Sequence, residues 1–300
     1  MSVFTNLTRD HLDMHGTPEA YLAAKAQLFL ALPPGGTAVL NADDDASALI
    51  REVMPAGVAV ELFSARGAAG ASLAARAIEL APGAVRITLA DSPLARQLGG
   101  VLELAVSGGV HAQNALAAAL ATHAAGYAPA AIRDGLARFR GVAGRFELVG
   151  TRPLVVVDYA HTPDGLVGTL ATARELCRAG RVICVFGCGG NRDRGKRPQM
   201  GAIVDDRADV AVLTSDNPRH EDPAAIAADV RAGVPVPRAR WIVELDRARA
   251  IALAIAEARP DDLVVIAGKG HEQTQEIAGR ELPFSDAEVA RAAIALVRRT

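Results

Sequence analysis

The sequence predicts an α/β protein of about two domains, the second built on a mostly parallel sheet. Three observations carry this. The chain has 300 residues, more than one ordinary domain needs. Half of it is hydrophobic but only 4% is aromatic, so alanine and valine build the core and favour close-packed helices on a sheet. From about residue 150 onward, continuous apolar runs alternate with helical segments, as strands covered on both faces do.

The first half is the less regular. "TPEAYLAAKAQLFLALP" reads as a helix, capped by Thr17 with Pro18 in its first turn. Tyr21, Leu22, Lys25, Leu28, Phe29 and Leu32 share one stripe at helical spacing, which sets Lys25 on an apolar face. Two readings stay open. Lys25 is either a lysine snorkelling at the edge of that stripe or a buried amine with a lowered pKa. "VLNADDD" reads as a strand end and turn. Residues 58–107 offer short alternating strands, then a glycine-rich "SGGVHAQN". "AQNALAAALATHAAG" is a helix closed by Gly126, and "APAAIRDGLARF" is another. "GRFELVGTRP" reads as a linker, with Gly150 and Pro153 marking the change. The expected domains are therefore 1–149 and 150–300.

In the second half, "PLVVVDYA" is a buried strand. "TPDGLVGTLATARELCRAG" is a helix opened by Thr162 and Pro163 and closed by Gly180. "RVICVFG", "ADVAVLTSD", "RWIVE" and "DLVVIAGKG" are further strands, with helices near 198–207, 223–232, 246–258 and 286–298. Ligands of such sheets sit at the strands' carboxyl ends. Those ends carry Asp158, Tyr159, His161, the 187–197 loop, "SDNPRHED" and "GKGHE".

A net charge of −2 indicates no bulk attraction to nucleic acid or membrane. No apolar run reaches transmembrane length, and the N-terminus lacks a basic start followed by an apolar stretch. Cys177, Cys184 and Cys188 have no metal-type pairing and read as reduced thiols of a cytoplasmic protein. Gly190, Gly195 and Lys196 are spaced like a phosphate loop. Arg197, however, stands where that loop needs the Ser or Thr hydroxyl that holds Mg²⁺. What remains is a glycine turn with Arg192, Arg194, Lys196 and Arg197 before a helix, an arrangement suited to anions.

Eight stretches resemble the Mur ligases in order and spacing. They are "NLTRDHLDMHGTPEAYLAAKAQLF", "NADDD", "QNALAAAL", "GVAGRFE", "VVVDYAHTPD", "VFGCGGNRDRGKRPQMG", "SDNPR" and "AGKGHE". The resemblance covers nearly the whole chain. It implies a partial central ATPase domain followed by a complete Rossmann-like C-terminal domain. It also implies ATP-dependent amide-bond formation through an acyl phosphate, with Mg²⁺ as metal, in peptidoglycan biosynthesis. The implied substrates are UDP-N-acetylmuramoyl-L-alanyl-D-glutamate and meso-diaminopimelate. "DNPR" followed by "GKGHE" fits that branch better than a folylpolyglutamate synthase.

Residue by residue, Lys25 matches the family lysine that becomes a carbamate, and His11 a Mg²⁺-binding histidine. His15 is expected to be structural. Asn114 matches an asparagine near the adenine. Arg145 and Asp158 match residues brought to ATP, with Tyr159 and His161 close by. Arg192, Asn217, Arg219, the Gly268 backbone and Glu272 are implied for diaminopimelate. Arg219 would take its far carboxylate and Glu272 its far ammonium. Lys196 and Arg197 are expected to fix the loop or to be solvated.

Family members carry a uridine-nucleotide domain and a G-T-N-G-K-[ST]-type loop ahead of these motifs, and no such loop occurs in these 300 residues. The expectation is a chain inactive alone, monomeric or paired with an N-terminal half, and showing an exposed sheet edge. Alternatives are a non-catalytic amino-acid-binding fragment and the C-terminal half of a split enzyme.

Overall fold

The computed structural model describes residues 1–8 and 12–297, without the side chains of residues 12 and 13. The chain divides into two compact units, Met1–Arg140 and Gly141–Thr300.

The first unit runs β1 (Ser2–Phe4), α1 (Leu12–His15), α2 (Pro18–Leu30), β2 (Thr37–Asn41), α3 (Ala46–Glu52), β3 (Ala59–Ser64), β4 (Leu73–Ala81), β5 (Ala84–Leu89), α4 (Pro93–Gln97), β6 (Val101–Leu104), α5 (Val110–Ala124) and α6 (Pro129–Arg138). Its sheet has the order β1-β2-β3-β4-β5-β6, parallel from β1 to β4 and antiparallel beyond. The alanines of α5 let it lie close on the sheet: Ala112, Ala115 and Ala119 share a core with Phe63, Leu73 and Ile87. The "NADDD" turn is a latch. Asn41 donates to the Thr5 carbonyl, Asp43 accepts from Ser64 Oγ and the Ala65 and Arg66 amides, and Asp44 accepts from the Leu7 and Ala46 amides.

Thr17 caps α2 through its Oγ1, which accepts from the Ala20 amide. The expected stripe is corrected in part. Leu28 is 59% exposed, and the buried line is Ala26, Phe29 and Leu32. The helix therefore turns its core face about one position away from the predicted one. Lys25 ends up half-buried, its Nζ 4.7 Å from the centroid of the Tyr21 ring.

The second unit runs β7 (Glu147–Thr151), β8 (Leu154–Asp158), α7 (Pro163–Leu176), β9 (Val182–Phe186), α8 (Lys196–Arg207), β10 (Val210–Leu213), α9 (Pro223–Arg231), β11 (Arg240–Val243), α10 (Arg247–Glu257), β12 (Leu263–Ala267), the hairpin β13 (Thr274–Ile277) and β14 (Arg280–Pro283), and α11 (Asp286–Val297). The main sheet has the order β11-β10-β9-β12-β8-β7, parallel except for β7. Alternate strand residues face two cores. Val156, Cys184 and Val265 meet Leu166, Leu170, Met200 and Val204 on one side. Val155, Val157, Ile183 and Val264 meet Ile251, Ile255, Ala290 and Ile294 on the other.

Two punctuating glycines do other work than expected. The supposed linker contains β7, antiparallel to β8 with a register shift between Leu148 and Gly150. A Cβ at Gly150 would lie 2.7 Å from Ile294 Cδ1, so this glycine lets α11 approach. Helix α7 already ends at Leu176, and a Cβ at Gly180 would lie 1.9 Å from the Asp261 carbonyl oxygen. Cys177, Cys184 and Cys188 are buried free thiols, and burial pushes the pKa values of Cys184 and Cys188 up to about 12.

Asp205 fastens α8 to the start of β11. It accepts from the Trp241 indole and from the Arg238 and Ala239 amides. Burial raises its pKa, but these donors outweigh burial and hold the carboxyl below the usual range. A depressed carboxyl stabilises the fold above its unfolded pKa, near 4, and loses that contribution as pH falls through the folded value. Asp205→Asn should therefore lower the urea midpoint at pH 7, with a gap to wild type that narrows at acid pH. An equal gap at pH 7 and at acid pH would refute the assignment.

Candidate functional site

The carboxyl ends of β8, β9, β10 and β12 gather most of the sequence-predicted groups. Arg247, fully buried, sets two of these ends. Its Nη1 donates to the Ser215 carbonyl after β10 and its Nη2 to the Ala267 carbonyl at the end of β12. Its Nε and Nη2 hold Asp286 at 2.7 and 2.8 Å. Beside it, burial pushes the Asp216 carboxyl up against the pull of Arg247 and Lys269. Gly268 has φ +121°, and a Cβ there would lie 2.7 Å from Asp216 Oδ2, so only glycine suits the turn.

The 189–198 loop follows β9, and α8 begins inside it at Lys196. A Cβ at Gly190 would lie 1.9 Å from the Pro218 carbonyl oxygen, so the loop presses against "SDNPR". Arg197 is not solvated: it is fully buried and donates to both oxygens of Glu221, to Asp229 and to the Gly189 carbonyl. Glu221 also takes Arg194 and the Asn191 amide. Hydrogen bonds from Arg197 first, then Arg194 and that amide, hold its carboxyl well below the usual carboxylate range. Lys196 donates to the His161 carbonyl at 2.8 Å. Arg192 is exposed, as is Arg194, but Arg194 is paired with Glu221.

Arg219, at φ +54°, is half-buried. Its Nη1 donates to the Gly190 carbonyl and its Nε lies 3.2 Å from Glu276 Oε2. Asn217 donates through Nδ2 to Glu272 Oε2 at 2.8 Å. Its Oδ1 accepts from Lys269 Nζ at 2.9 Å and the Glu276 amide at 3.0 Å. Glu272 is therefore gripped at Oε2, while its Oε1 accepts no hydrogen bond among the described residues.

The group expected at ATP splits between units. In the second unit Arg145 lies over the Tyr159 ring at 4.4 Å, and Tyr159 also meets His161 and His271. His161 Nδ1 is 2.8 Å from the Tyr159 carbonyl oxygen. Asp158 has both oxygens engaged, by the Phe146 and Ala160 amides and by Thr169 Oγ1. It thus acts as a latch that holds the residue following Arg145. In the first unit Asn114 is exposed on α5. His15 stacks on Tyr21, with ring centroids 5.0 Å apart. His11 lies outside the described residues. Among the described residues no group of three or more His, Cys, Asp or Glu could hold a metal ion, and no helix is long and apolar enough to cross a membrane.

Sequence reasoning passed over Lys269, Arg247, Asp216, Glu276 and His271. Lys269 and His271 stand inside "GKGHE", and a lysine among glycines at a strand end was a usable signal. Arg247 and Asp286 had none, because each opens a helix that reads as ordinary.

Comparisons with known proteins agree over both units. The family described as "Mur ligase middle domain" matches residues 1–122, and "Mur ligase, glutamate ligase domain" matches residues 144–270. The chain is 47% identical over 303 residues to the UDP-N-acetylmuramoyl-L-alanyl-D-glutamate--2,6-diaminopimelate ligase of Xanthomonas campestris pv. campestris (strain 8004), covering 100% of this chain and 59% of that protein. It is 45% identical to the ligase of the same name from Gloeobacter violaceus, covering 98% of this chain and 58% of that protein. A solved structure of that name aligns at TM-score 0.64 and 36% identity, covering 99% of this chain and 60% of the other. The E. coli FolC structure with ADP shares the fold, at TM-score 0.65 and 21% identity, covering 99% and 62%. The chain thus spans about three fifths of the length of the curated relatives it matches.

Proposed function

Because the chain belongs to the Mur ligase family, contributing a middle and a C-terminal domain, we propose that it serves the cytoplasmic ligation of meso-diaminopimelate to UDP-N-acetylmuramoyl-L-alanyl-D-glutamate in cell-wall synthesis. The observation that carries the choice of amino acid is the grouping of Arg219, Asn217 and Glu272. Diaminopimelate ends in an ammonium and a carboxylate on one carbon, whereas lysine ends in an ammonium alone. Glu272 Oε1 is open to an ammonium. Arg219 uses its Nε and one terminal nitrogen on the protein and offers the rest of its fork to a carboxylate. Arg192 is a second, exposed cation beside the same loops, suited to the other carboxylate, and the Gly268 backbone borders the turn.

ATP supplies the phosphoryl group that converts the acceptor carboxylate into an acyl phosphate open to attack by the amine. Toward it, the second unit offers a cation over an aromatic ring, Arg145 on Tyr159, with His161 and His271 alongside. Such a surface fits a nucleotide's flat, anionic parts. Asp158 keeps that surface in place. In the first unit, Asn114 is the group proposed to meet the adenine. His11, which lies outside the described residues, and Lys25 as its carbamate are the groups proposed to hold Mg²⁺, which would there neutralise phosphate charge.

The test is a chimaera with the N-terminal segment of the Xanthomonas campestris relative ahead of residues 1–300. It should ligate meso-diaminopimelate in preference to L-lysine, and the reverse preference would overturn the reading. Losing a charged partner from a hydrogen-bonded pair costs about 2–5 kcal/mol. Arg219→Ala should accordingly raise the chimaera's KM for meso-diaminopimelate more than about tenfold. An unchanged KM would remove Arg219 from the pocket.

A further inference from the structure

Lys269 is fully buried, and among the described residues its ammonium donates to two pocket groups, Asn217 Oδ1 at 2.9 Å and Glu272 Oε2 at 2.7 Å. A buried ammonium is costly unless it is paired and hydrogen-bonded, so a lysine kept here calls for a reason. The hydrogen-bond pattern supplies one. Asn217 Oδ1 faces two groups that can only donate, the Lys269 ammonium and the Glu276 amide. That fixes the amide's orientation and sends its Nδ2 toward Glu272. Glu272 Oε2 then receives both Asn217 and Lys269, and only Oε1 is left to act outward.

We propose that Lys269 is the positioning residue of the amino-acid pocket: it locks the Asn217 amide and one Glu272 oxygen so that the other oxygen meets the substrate ammonium as a fixed anion. This rests on the reading that the site takes diaminopimelate. Without Lys269, the Asn217 amide can turn and Glu272 can rotate, and the half-buried carboxyl loses the donor that counters its burial. Burial raises the Glu272 pKa, and the hydrogen bonds from Lys269 and Asn217 outweigh it. The other charged groups around Glu272 are Arg247, which favours its ionised form, and Asp216, which opposes it and is itself buried.

The test uses residues 1–300, with meso-diaminopimelate as the probe in calorimetry and the Glu272 ¹³Cδ resonance followed against pH. Lys269→Gln keeps a hydrogen-bond donor but removes the charge. It should bind meso-diaminopimelate at least about tenfold more weakly at pH 7, as expected for a lost charged hydrogen bond. It should also move the Glu272 midpoint upward, so that the loss deepens as pH falls. A residue needed only for packing would not move that midpoint. If wild type binds and Lys269→Gln binds equally with an unmoved midpoint, the assignment fails while the pocket reading stands. If wild type binds no meso-diaminopimelate, the pocket reading fails and the assignment with it. Should Lys269→Gln not fold, the wild-type chain decides. Its Lys269 ¹⁵Nζ signal must shift at the Glu272 midpoint and on adding meso-diaminopimelate, and a still signal overturns the assignment.

Discussion

Arg247→Met is expected to destabilise the second unit by about 3–5 kcal/mol, because it leaves a buried charge without its partner. Both members of the Arg247–Asp286 pair are fully buried. The guanidinium meets Asp286 with two nitrogens and also satisfies the Ser215 and Ala267 carbonyls. Methionine matches the length of the stem but supplies none of these four hydrogen bonds. Asp286 would then have to take a proton or remain charged at the first turn of α11, where only the helix dipole favours it. A buried pair replaced whole by apolar groups is often tolerated. Arg247→Met with Asp286→Leu should thus recover much of the loss. Urea unfolding followed by circular dichroism gives both numbers, and a single variant as stable as wild type would show that the pair is not what holds the unit. The double variant separates folding from function. It would be folded but would lack the clamp on the ends of β10 and β12, so its binding of meso-diaminopimelate should stay weak.

How much of this was legible depended on where each residue's partners lie. The strands of the second unit were plain because both sheet faces are covered, which leaves uninterrupted runs such as "VICVF" and "LVVIA". Thr17 and Thr162 were plain because a cap and a following proline are local signals. β1 and β7 were not. β1 has three residues, and β7 is an edge strand whose apolar side chains are only half-buried, with a glycine at its bulge. The 189–198 loop shows the limit most clearly. Four cations in six positions look alike in sequence, yet one is buried, one is half-buried on a carbonyl, and of the two exposed ones one is paired with a carboxylate. The choice is made by Glu221 and Asp229, whose carboxylates come from the segment leading into α9 and from α9 itself, and for Lys196 by the His161 carbonyl. In the same way "GKGHE" announced a turn and an acid, while the role of its lysine depends on Asn217, distant in sequence and adjacent in space.

Lys25→Ala in the chimaera is expected to remove nearly all ligation, by a factor of about 10²–10³, the size of effect seen when a group stabilising transition-state charge is lost. The resemblance gives Lys25 as the carbamate-forming lysine. That reaction joins the neutral amine to CO₂ through a new N–C bond, releases one proton to solvent and leaves an anion on the helix. The geometry sets a condition on it. In the unmodified chain the amine lies over the Tyr21 ring at 4.7 Å, a contact that suits a cation and not a carbamate anion. Carbamate formation must therefore open this contact. Two results are expected together. With ¹³C-labelled CO₂ the wild type should show a carbamate carbon signal that Lys25→Ala lacks, and short carboxylic acids added to Lys25→Ala should restore part of the rate by replacing the missing anion. Lys25→Arg should not be rescued, since its larger, permanently charged side chain still fills the space. Full ligation by Lys25→Ala would end the assignment. Loss of ligation without any labelled carbamate in the wild type would make Lys25 a residue that works as a cation.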